Sequence, residues 1–238
     1  YNELATKIIL NFCGDEFNQR EIQEIVNNSY KDFRKKNVVE IKKLENLNLL
    51  ELFHGPTLAF KDIAMQVIGN MYEKILKKKN SNINIVVATS GDTGAAAINA
   101  IKNRSNMKIF VLHPENKITE VQRKFMTTVN SKNVFNIAIA SNFDQCQNFV
   151  KLMFADKKFS SSINMSGVNS INWARIIVQI IYYFYAYFKV SKNGEKINFS
   201  VPTGNFGDIY AGYIAKKMGL PIDKLVIATN SNDILKRV

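Results

Sequence analysis

The sequence has few of the residues that build metal centres and disulfide frameworks, with 2 cysteines and 2 histidines among 238 residues. Cys13 and Cys146 lie far apart and form no CxxC pair or metal-ligand spacing. His54 and His113 lack the partners of a zinc site or a catalytic triad. We therefore predict no metal site and a reducing compartment, the cytoplasm, in which the thiols stay unpaired.

Acidic residues are fewer than basic ones. The chain has 20 aspartates and glutamates and 32 lysines and arginines, which gives a net charge of +12 at pH 7. A nucleic-acid partner would be one explanation for this charge. The lysines are dispersed, however, and no recognised nucleic-acid-binding module accompanies them. We therefore predict no nucleic-acid partner, and only a mild attraction for anionic substrates.

Long hydrophobic runs are also missing. The longest, residues 176–190, is interrupted by Gln179 and Lys189 and is shorter than the ~20 residues that a membrane-spanning helix needs. This pattern favours a buried, aromatic-rich helix, and we predict no membrane partner. The chain begins with Tyr1 and ends just after an apparent strand, so we expect a fragment that lacks both ends.

Proline is scarce as well, at 4 residues, and Pro56 stands in the most informative stretch, residues 51–62, which reads ELFHGPTLAFKD. Pro56 stops an apolar run, and Thr57 is a candidate cap for a helix that we predict to begin near Leu58. Lys61 then lies in the first turn of that helix. A lone lysine is ordinarily a solvated surface charge. A desolvated lysine is a nucleophile, so both interpretations stay open.

Apart from these scarce types, the chain is 46% hydrophobic, which is enough for one or two domains. Strands and helices alternate along it, and this alternation predicts parallel βαβ units and an α/β fold. We predict helices over 1–36, 58–75, 95–101, 119–128, 142–156 and 209–218, and an aromatic helix that residues 169–175 open and that contains the run 176–190. We predict strands over 38–42, 83–89, 108–113, 134–140, 197–201 and 224–229.

Two predicted strands run into small-residue turns followed by helices. Residues 90–94 read SGDTG, and residues 202–208 read PTGNFGD. The first is compatible with an ordinary tight turn, but a strand, turn and helix in this order, as in both stretches, also present backbone N–H groups to an anion. Gly204 and Gly207 would allow positive φ and close backbone approach, while Asp208 is a candidate helix cap. The second turn is not GxGxxG, so a nicotinamide cofactor is not expected.

A further candidate is the start of the aromatic helix, where residues 169–175 read NSINWAR. Asparagine and serine at such a position are ordinarily caps, and Arg175 would then be a surface ion. Alternatively, an arginine at this place could hold a phosphate through a forked, charge-assisted contact.

These four strings, taken in their order along the chain, resemble the motifs of the threonine synthase family, which belongs to the fold type II group of pyridoxal-phosphate enzymes. The resemblance spans nearly the whole chain. It implies a tryptophan synthase β-like α/β fold, with parallel sheets covered by helices on both faces and a cofactor cleft between two domains. It also implies an incomplete helical extension at 1–50, a smaller cofactor domain at 51–190 and the truncated start of a larger domain at 191–238.

The resemblance also assigns roles to residues. Lys61 would form the Schiff base with pyridoxal 5'-phosphate. The cofactor phosphate would be bound by the second turn, at Gly204, Asn205, Phe206, Gly207 and Asp208. The substrate carboxylate would lie against the first turn, at Ser90, Gly91, Asp92 and Thr93. The substrate phosphate would be held at the helix start, by Asn169, Ser170, Asn172 and Arg175.

Many fold type II relatives carry asparagine where this chain has Asp92. An ionised aspartate beside the cofactor phenolate would repel it unless a proton is shared or the side chain turns away. The role of Asp92 therefore stays open at this point.

The activity implied is that of a carbon–oxygen lyase, which converts O-phospho-L-homoserine and water to L-threonine and phosphate by γ-elimination and β-hydration. A related phospho-lyase or hydroxy-amino-acid dehydratase is an alternative, although Arg175 weighs against a dehydratase, whose substrate has no phosphate. A non-catalytic, truncated domain that binds a phosphorylated ligand is a second alternative. The oligomeric state and the partner of the pyridine nitrogen stay open.

Overall fold

Helices and strands alternate along the computed structural model, which describes residues 1–169, 172–231 and 233–234. The helices are α1 (Asn2–Cys13), α2 (Gln19–Tyr30), α3 (Lys61–Lys79), α4 (Asp92–Ile101), α5 (Glu120–Thr127), α6 (Phe143–Ala155), α7 (Lys157–Ser162), α8 (Trp173–Val190) and α9 (Gly207–Lys217). The strands are β1 (Glu40–Leu44), β2 (Leu47–Glu51), β3 (Ile83–Ala88), β4 (Met107–Pro114), β5 (Val134–Ile139), β6 (Met165–Ser166), β7 (Ile197–Pro202) and β8 (Ile222–Ala228).

The chain divides into two compact units. Unit 1 comprises Tyr1–Asn27, Lys35–Leu52 and Ser170–Val238, and unit 2 comprises Asn28–Arg34 and Phe53–Asn169. The aromatic helix α8 therefore groups with β7, α9 and β8, whereas the sequence placed it at the end of the smaller domain. The predicted domain boundary at residue 190 remains a prediction about the whole protein.

Unit 2 is built on a four-stranded sheet in the order β5-β4-β3-β6, in which all neighbouring strands are parallel. The strand β3 is a nearly continuous β-branched run, as expected of a strand that is buried on both faces. Ile85 and Val87 pack into one apolar cluster with Ile98 of α4, and Val86 packs into another with Cys146 of α6. Successive side chains of a strand point to opposite faces, so helices cover both faces of this sheet.

Close packing holds α3 against α4 on the first of these faces. Gly69 of α3 lies so near α4 that an added Cβ would be 2.7 Å from the backbone oxygen of Ala100. The alanine run 95–97 of α4 is buried beside it and has no long side chain to keep the helices apart. This packing places the N-terminal ends of α3 and α4, which carry Lys61 and Asp92, in the same unit.

Unit 1 contains a parallel pair, β7 with β8, and an antiparallel hairpin, β1 with β2. The helix α8 contacts both α1 and α9. The ring of Trp173 meets Phe12 edge-on with the centroids 6.0 Å apart, and Tyr185 meets Tyr1 at 5.4 Å. The α/β class with parallel strands is confirmed, and the hairpin strand β2 is a feature that the sequence did not predict.

Most predicted elements lie within a few residues of the observed ones. The predicted N-terminal helix 1–36 is in fact two helices, because Gly14 adopts φ 53° and ends α1. Two short elements, α7 and β6, were missed. No helix in the described part of the chain is long and apolar enough to cross a membrane.

Candidate functional site

The turn that leads into Lys61 is organised by the carboxylate of Asp62. This group accepts hydrogen bonds from the backbone N–H of Thr57 at 2.7 Å and from its hydroxyl at 2.8 Å. Thr57 therefore does not cap a helix, and the helix does not begin near Leu58, whose φ of 62° is left-handed. The helix α3 begins at Lys61 instead, with Phe60 as its N-cap.

A glycine makes this turn possible. An added Cβ on Gly55 would lie 2.5 Å from the Cβ of Asp62, so no larger residue fits there without moving the turn. Asp62 itself is fully buried. Burial raises the pKa of its carboxyl, and the hydrogen bonds from Thr57 offset this only in part. The backbone just before Lys61 is thereby held from inside the protein.

Lys61 is mostly buried, with 17% of its side chain exposed. Its Nζ lies 3.2 Å from Oδ2 of Asp92 and 4.6 Å from the centroid of the Phe60 ring. A surface lysine in solvent has neither of these constraints. The lysine therefore has a defined environment, formed by an apolar ring and a carboxylate.

Asp92 is the first residue of α4, and the turn before it is tightly tied. The Thr89 hydroxyl accepts hydrogen bonds from the N–H groups of Gly91 and Gly94, each at 3.0 Å, and Gly91 adopts φ 143°. In this loop Ser90 is exposed and Thr93 is half-buried. The loop follows β3 directly, so the sheet positions it.

The Asp92 carboxylate has a second partner in addition to Lys61. Its Oδ1 accepts a hydrogen bond from Nε2 of Gln122 at 2.8 Å. Burial raises the pKa of this carboxyl, but the bonds from Gln122 and Lys61 outweigh that effect and hold the pKa below its ordinary value. Asp92 is therefore a carboxylate at neutral pH, and its side chain does not turn away from Lys61.

Gln122 was missed by sequence reasoning. It stands three residues after Thr119, which is the spacing of a capping box, and Thr119 does cap α5. That signal predicts a helix start and nothing about Asp92. The contact between Gln122 and Asp92 arises because β3 and β4 are adjacent in the sheet.

In unit 1, the second of the two small-residue turns, at residues 202–208, leads from β7 into α9. Neither Gly204 nor Gly207 is among the glycines with positive φ, so the positive φ that glycine would allow there is not adopted. The space beside the Gly204 backbone is open, because an added Cβ would meet no atom within 4 Å. Asn205 and Phe206 are exposed. The loop is an open approach to the N-terminal end of α9.

Asp208 does not cap α9, whose N-cap is Phe206 and has no side-chain bond. Its Oδ1 instead accepts hydrogen bonds from the hydroxyls of Tyr182 at 2.5 Å and Tyr183 at 3.0 Å. The Tyr183 hydroxyl also contacts the Asp208 backbone oxygen at 3.0 Å. The cap prediction is wrong because the Asp208 carboxylate accepts hydrogen bonds from the buried tyrosines of α8 instead of from the backbone of α9.

The tyrosine hydroxyls stay protonated in these bonds. Burial, together with the charge of Asp208, raises the pKa of both Tyr182 and Tyr183 far above the ordinary value. Gly212 of α9 packs against Tyr183, since an added Cβ would lie 2.7 Å from its ring. The first turn of α9 is thereby fastened to α8.

Arg175 lies in the first turn of α8 and is 1% exposed, so the surface-ion alternative is wrong. Burial lowers the pKa of its guanidinium to about 10, while Tyr182 acts in the opposite direction. Asn172 caps this helix by accepting from the N–H of Ala174 at 3.0 Å. Asn169 is exposed and belongs to unit 2, and Ser170 lies outside the described residues.

Comparison with known proteins now decides the family. The sequence profile of the family described as "Pyridoxal-phosphate dependent enzyme" matches residues 36–237. This chain belongs to the pyridoxal-phosphate dependent enzyme family. Within that family, the chain is 47% identical to a threonine synthase of Pseudomonas aeruginosa over 238 residues, which cover 100% of this chain and 51% of that protein. It is 46% identical to the threonine synthase of Saccharomyces cerevisiae, covering 100% of this chain and 49% of that protein.

A solved structure of a relative agrees with this pyridoxal-phosphate enzyme assignment. The crystal structure of a pyridoxal-phosphate-bound threonine synthase from Brucella melitensis superposes with a TM-score of 0.93 at 48% identity. That comparison covers 100% of this chain and 51% of the other. The chain thus spans about half the length of the relatives it matches, and the fold type II architecture is confirmed.

Proposed function

We propose that this chain binds pyridoxal phosphate through Lys61 and the 204–208 loop. We also propose that the whole protein converts O-phospho-L-homoserine and water to L-threonine and phosphate. The observation that carries the proposal is the mostly buried Lys61 held at 3.2 Å from Asp92. It is supported by 46–48% identity, along the whole chain, to proteins named threonine synthase.

The residues present suit this cofactor. The open space at Gly204 leaves room for a phosphate against the backbone, and the first N–H groups of α9 lack partners within the helix. The Lys61 amine is shielded by Phe60 and has the reach of a flexible four-carbon stem. Pyridoxal phosphate supplies an electron sink for chemistry at Cα and Cβ of an amino acid.

The chain's own residues would then divide the work. Lys61 would take and return the protons at Cα and Cβ of the substrate. Ser90, Gly91, Asp92 and Thr93, in the loop after β3, would hold the substrate carboxylate through backbone and hydroxyl donors. Arg175 and the neighbouring asparagines and serine would bind the substrate phosphate. A charge-assisted contact is stronger at a buried guanidinium than at an exposed one, because less water screens it.

The finer assignments rest on the same resemblance. Residues 51–190 would belong to the smaller cofactor domain of the whole protein, and 191–238 would begin the larger one. The cytoplasm remains the proposed compartment, in agreement with the free thiols of Cys13 and Cys146. Nucleic acid is not a proposed partner.

The direct test follows the oxygen atoms of the proposed reaction. The whole protein, loaded with pyridoxal phosphate, would be given O-phospho-L-homoserine in water enriched in oxygen-18. Elimination followed by hydration puts the label in the β-hydroxyl of threonine and leaves it out of the phosphate. Label in the phosphate would indicate a phosphatase, and 2-oxobutanoate with ammonia instead of threonine would indicate the phospho-lyase alternative. Either result would overturn the proposed activity.

The loop assignment predicts the effect of a side chain at Gly204. Gly204→Val should weaken pyridoxal-phosphate binding by about tenfold or more, because the new side chain would project into the space that the phosphate occupies. Thermal unfolding of the cofactor-free protein should not change, since no atom lies within 4 Å of an added Cβ. Fluorescence titration measures the affinity.

Asn205→Ala is the matched control for this experiment, because it changes the same loop but leaves every backbone donor in place. It should lower the affinity less than Gly204→Val does. Equal affinity of wild type and Gly204→Val would move the cofactor phosphate away from this loop.

The assignment of Arg175 predicts a selective change in substrate binding. Arg175→Lys keeps the charge but loses the fork of donors, so we expect the KM for O-phospho-L-homoserine to rise about tenfold or more. The absorbance of the bound cofactor should stay as in wild type. Steady-state kinetics and a spectrum on the same preparation check both points.

Arg104→Lys provides the control, because Arg104 is another largely buried arginine and pairs with Glu73. It should lower thermal stability without changing KM. A KM that responds equally to both substitutions would show that Arg175 acts only through the fold.

A further inference from the structure

A chain of side-chain hydrogen bonds runs from the start of α5 to Lys61. The hydroxyl of Thr119 lies 3.0 Å from Oε1 of Gln122, and Nε2 of Gln122 lies 2.8 Å from Oδ1 of Asp92. The other oxygen of Asp92 faces Lys61 at 3.2 Å. A carboxylate only accepts hydrogen bonds, so the amide end that faces it is the NH₂ group, and the Thr119 hydroxyl donates to the other end.

Gly91 gives independent evidence that space for this amide is built into the loop. An added Cβ on Gly91 would lie 2.4 Å from Cδ of Gln122 and 2.8 Å from its Nε2. The backbone there also adopts φ 143°, which side chains rarely allow. The loop therefore leaves a passage through which the glutamine of α5 reaches Asp92.

We propose that Gln122 is a positioning residue for Lys61 and acts through Asp92. By holding one carboxylate oxygen, the amide keeps the other directed at the lysine nitrogen. This inference rests on the proposed function, in which Lys61 is the cofactor lysine.

The exposure of the Asp92 side chain explains why its carboxylate needs a second hydrogen-bond partner. The side chain of Asp92 is 43% exposed, and a half-exposed carboxylate without a second partner can rotate into water. Gln122 opposes this rotation, so Asp92 stays 3.2 Å from the Lys61 nitrogen and keeps a negative charge beside it.

Among the described residues, Lys61 and Asp62 carry ionisable groups that interact electrostatically with Asp92. Lys61 contacts it directly, and the buried Asp62 carboxyl lies close enough that the charge of Asp92 contributes to raising its pKa. Gln122 is neutral at all pH values. Removing the Gln122 amide therefore changes the placement of a charge without changing the number of charges.

The test uses the whole protein with bound pyridoxal phosphate and measures the cofactor absorbance as a function of pH. Gln122→Met removes the amide at similar length. With Asp92 released, a proton on the cofactor-linked nitrogen is held less well, so the pH midpoint should fall by about 0.5–1 unit. Gln66→Met is the control, because the Gln66 amide donates to Asn99 at 3.0 Å in the same unit, whereas the Asp92 carboxylate is bonded to Lys61 and Gln122. It should leave the midpoint unchanged.

A double variant shows whether Gln122 acts through Asp92. Asp92→Asn should lower the midpoint by itself, and adding Gln122→Met to it should lower the midpoint no further. Thr119→Val should resemble Gln122→Met in direction, whereas Thr119→Ser, which keeps the hydroxyl, should resemble wild type. These comparisons separate positioning from a general loss of stability.

Two results would overturn the inference: an unchanged midpoint in Gln122→Met, or the same additional fall in the Asp92→Asn background as in wild type. Failure of the proposed function would look different. In that case borohydride would not attach pyridoxal phosphate to Lys61 in the wild-type protein, as judged by peptide mass spectrometry.

Discussion

Lys61→Ala should abolish the visible absorbance band of the bound cofactor and reduce phosphate release from O-phospho-L-homoserine by at least ~10²–10⁴-fold. The lower bound reflects the loss of proton transfer alone, and the loss of the covalent tether should add to it. Pyridoxal phosphate should still bind to the variant, because the 204–208 loop is unchanged. Absorbance, equilibrium dialysis and a phosphate assay measure these three quantities on one preparation.

Lys77→Ala is the matched control, because Lys77 lies on the same helix, is 65% exposed and pairs with Glu73 at 2.8 Å near the surface. Such surface pairs contribute about 1 kcal/mol or less to stability, so absorbance and turnover should remain as in wild type. Near-normal phosphate release by Lys61→Ala would remove Lys61 from catalysis. A normal wild-type spectrum without threonine formation would keep Lys61 and assign the protein to a sibling activity.

Asp62→Ala should produce the second large effect, a loss of about 2–4 kcal/mol in the free energy of unfolding. The fully buried Asp62 carboxyl is the acceptor for both donors of Thr57, and the substitution would leave those donors unsatisfied. The turn before Lys61 would then lose its internal support. Denaturant unfolding of wild type and variant measures the difference.

Thr57→Val serves as the control for Asp62→Ala, because it removes the hydroxyl donor but keeps the backbone N–H bond. It should cost about half as much as Asp62→Ala. Equal denaturation midpoints for Asp62→Ala and wild type would show that the two bonds from Thr57 do not stabilise this turn.

Asp62 should also contribute a pH dependence to stability. Its pKa in the folded protein is raised above the ordinary value of 3.8. The folded protein therefore binds this proton more readily than the unfolded chain does. The resulting stabilisation is present below pH 3.8 and is lost as the pH rises through the folded-state pKa. Asp62→Asn does not titrate, so this part of the pH dependence should be absent from its unfolding curves.

The order of strands and helices could be predicted from the sequence because each element carries its own periodicity. The β-branched run of β3 and the alanine-rich α4 can each be recognised from their own residues, and the alternation of strands and helices implies a parallel sheet. The motif around Lys61 and the small-residue turns could likewise be recognised, because they occupy contiguous stretches of chain. The fold class and the family therefore followed from residues that are neighbours in sequence.

Caps and partners were predicted less well, because a polar side chain binds whichever group the fold brings nearest. Thr57 and Asp208 both looked like local helix caps. Thr57 donates to Asp62 instead, and the Asp208 carboxylate accepts from two tyrosines 25 and 26 residues away in the chain. Arg175 looked equally suited to the surface, and only its position on the buried side of α8 decided against that.

The sequence by itself determined the α/β class, the lysine and the two glycine-containing turns, since local propensity and spacing are enough to specify such elements. The tertiary structure alone decided that Asp92 lies between Lys61 and Gln122, because strands β3 and β4 are adjacent and bring α4 beside α5. Lys61 and Asp92 are separated by 31 positions, and Asp92 and Gln122 by 30. Contacts at such separations depend on how the sheet and its helices pack, and no periodicity in the chain encodes them.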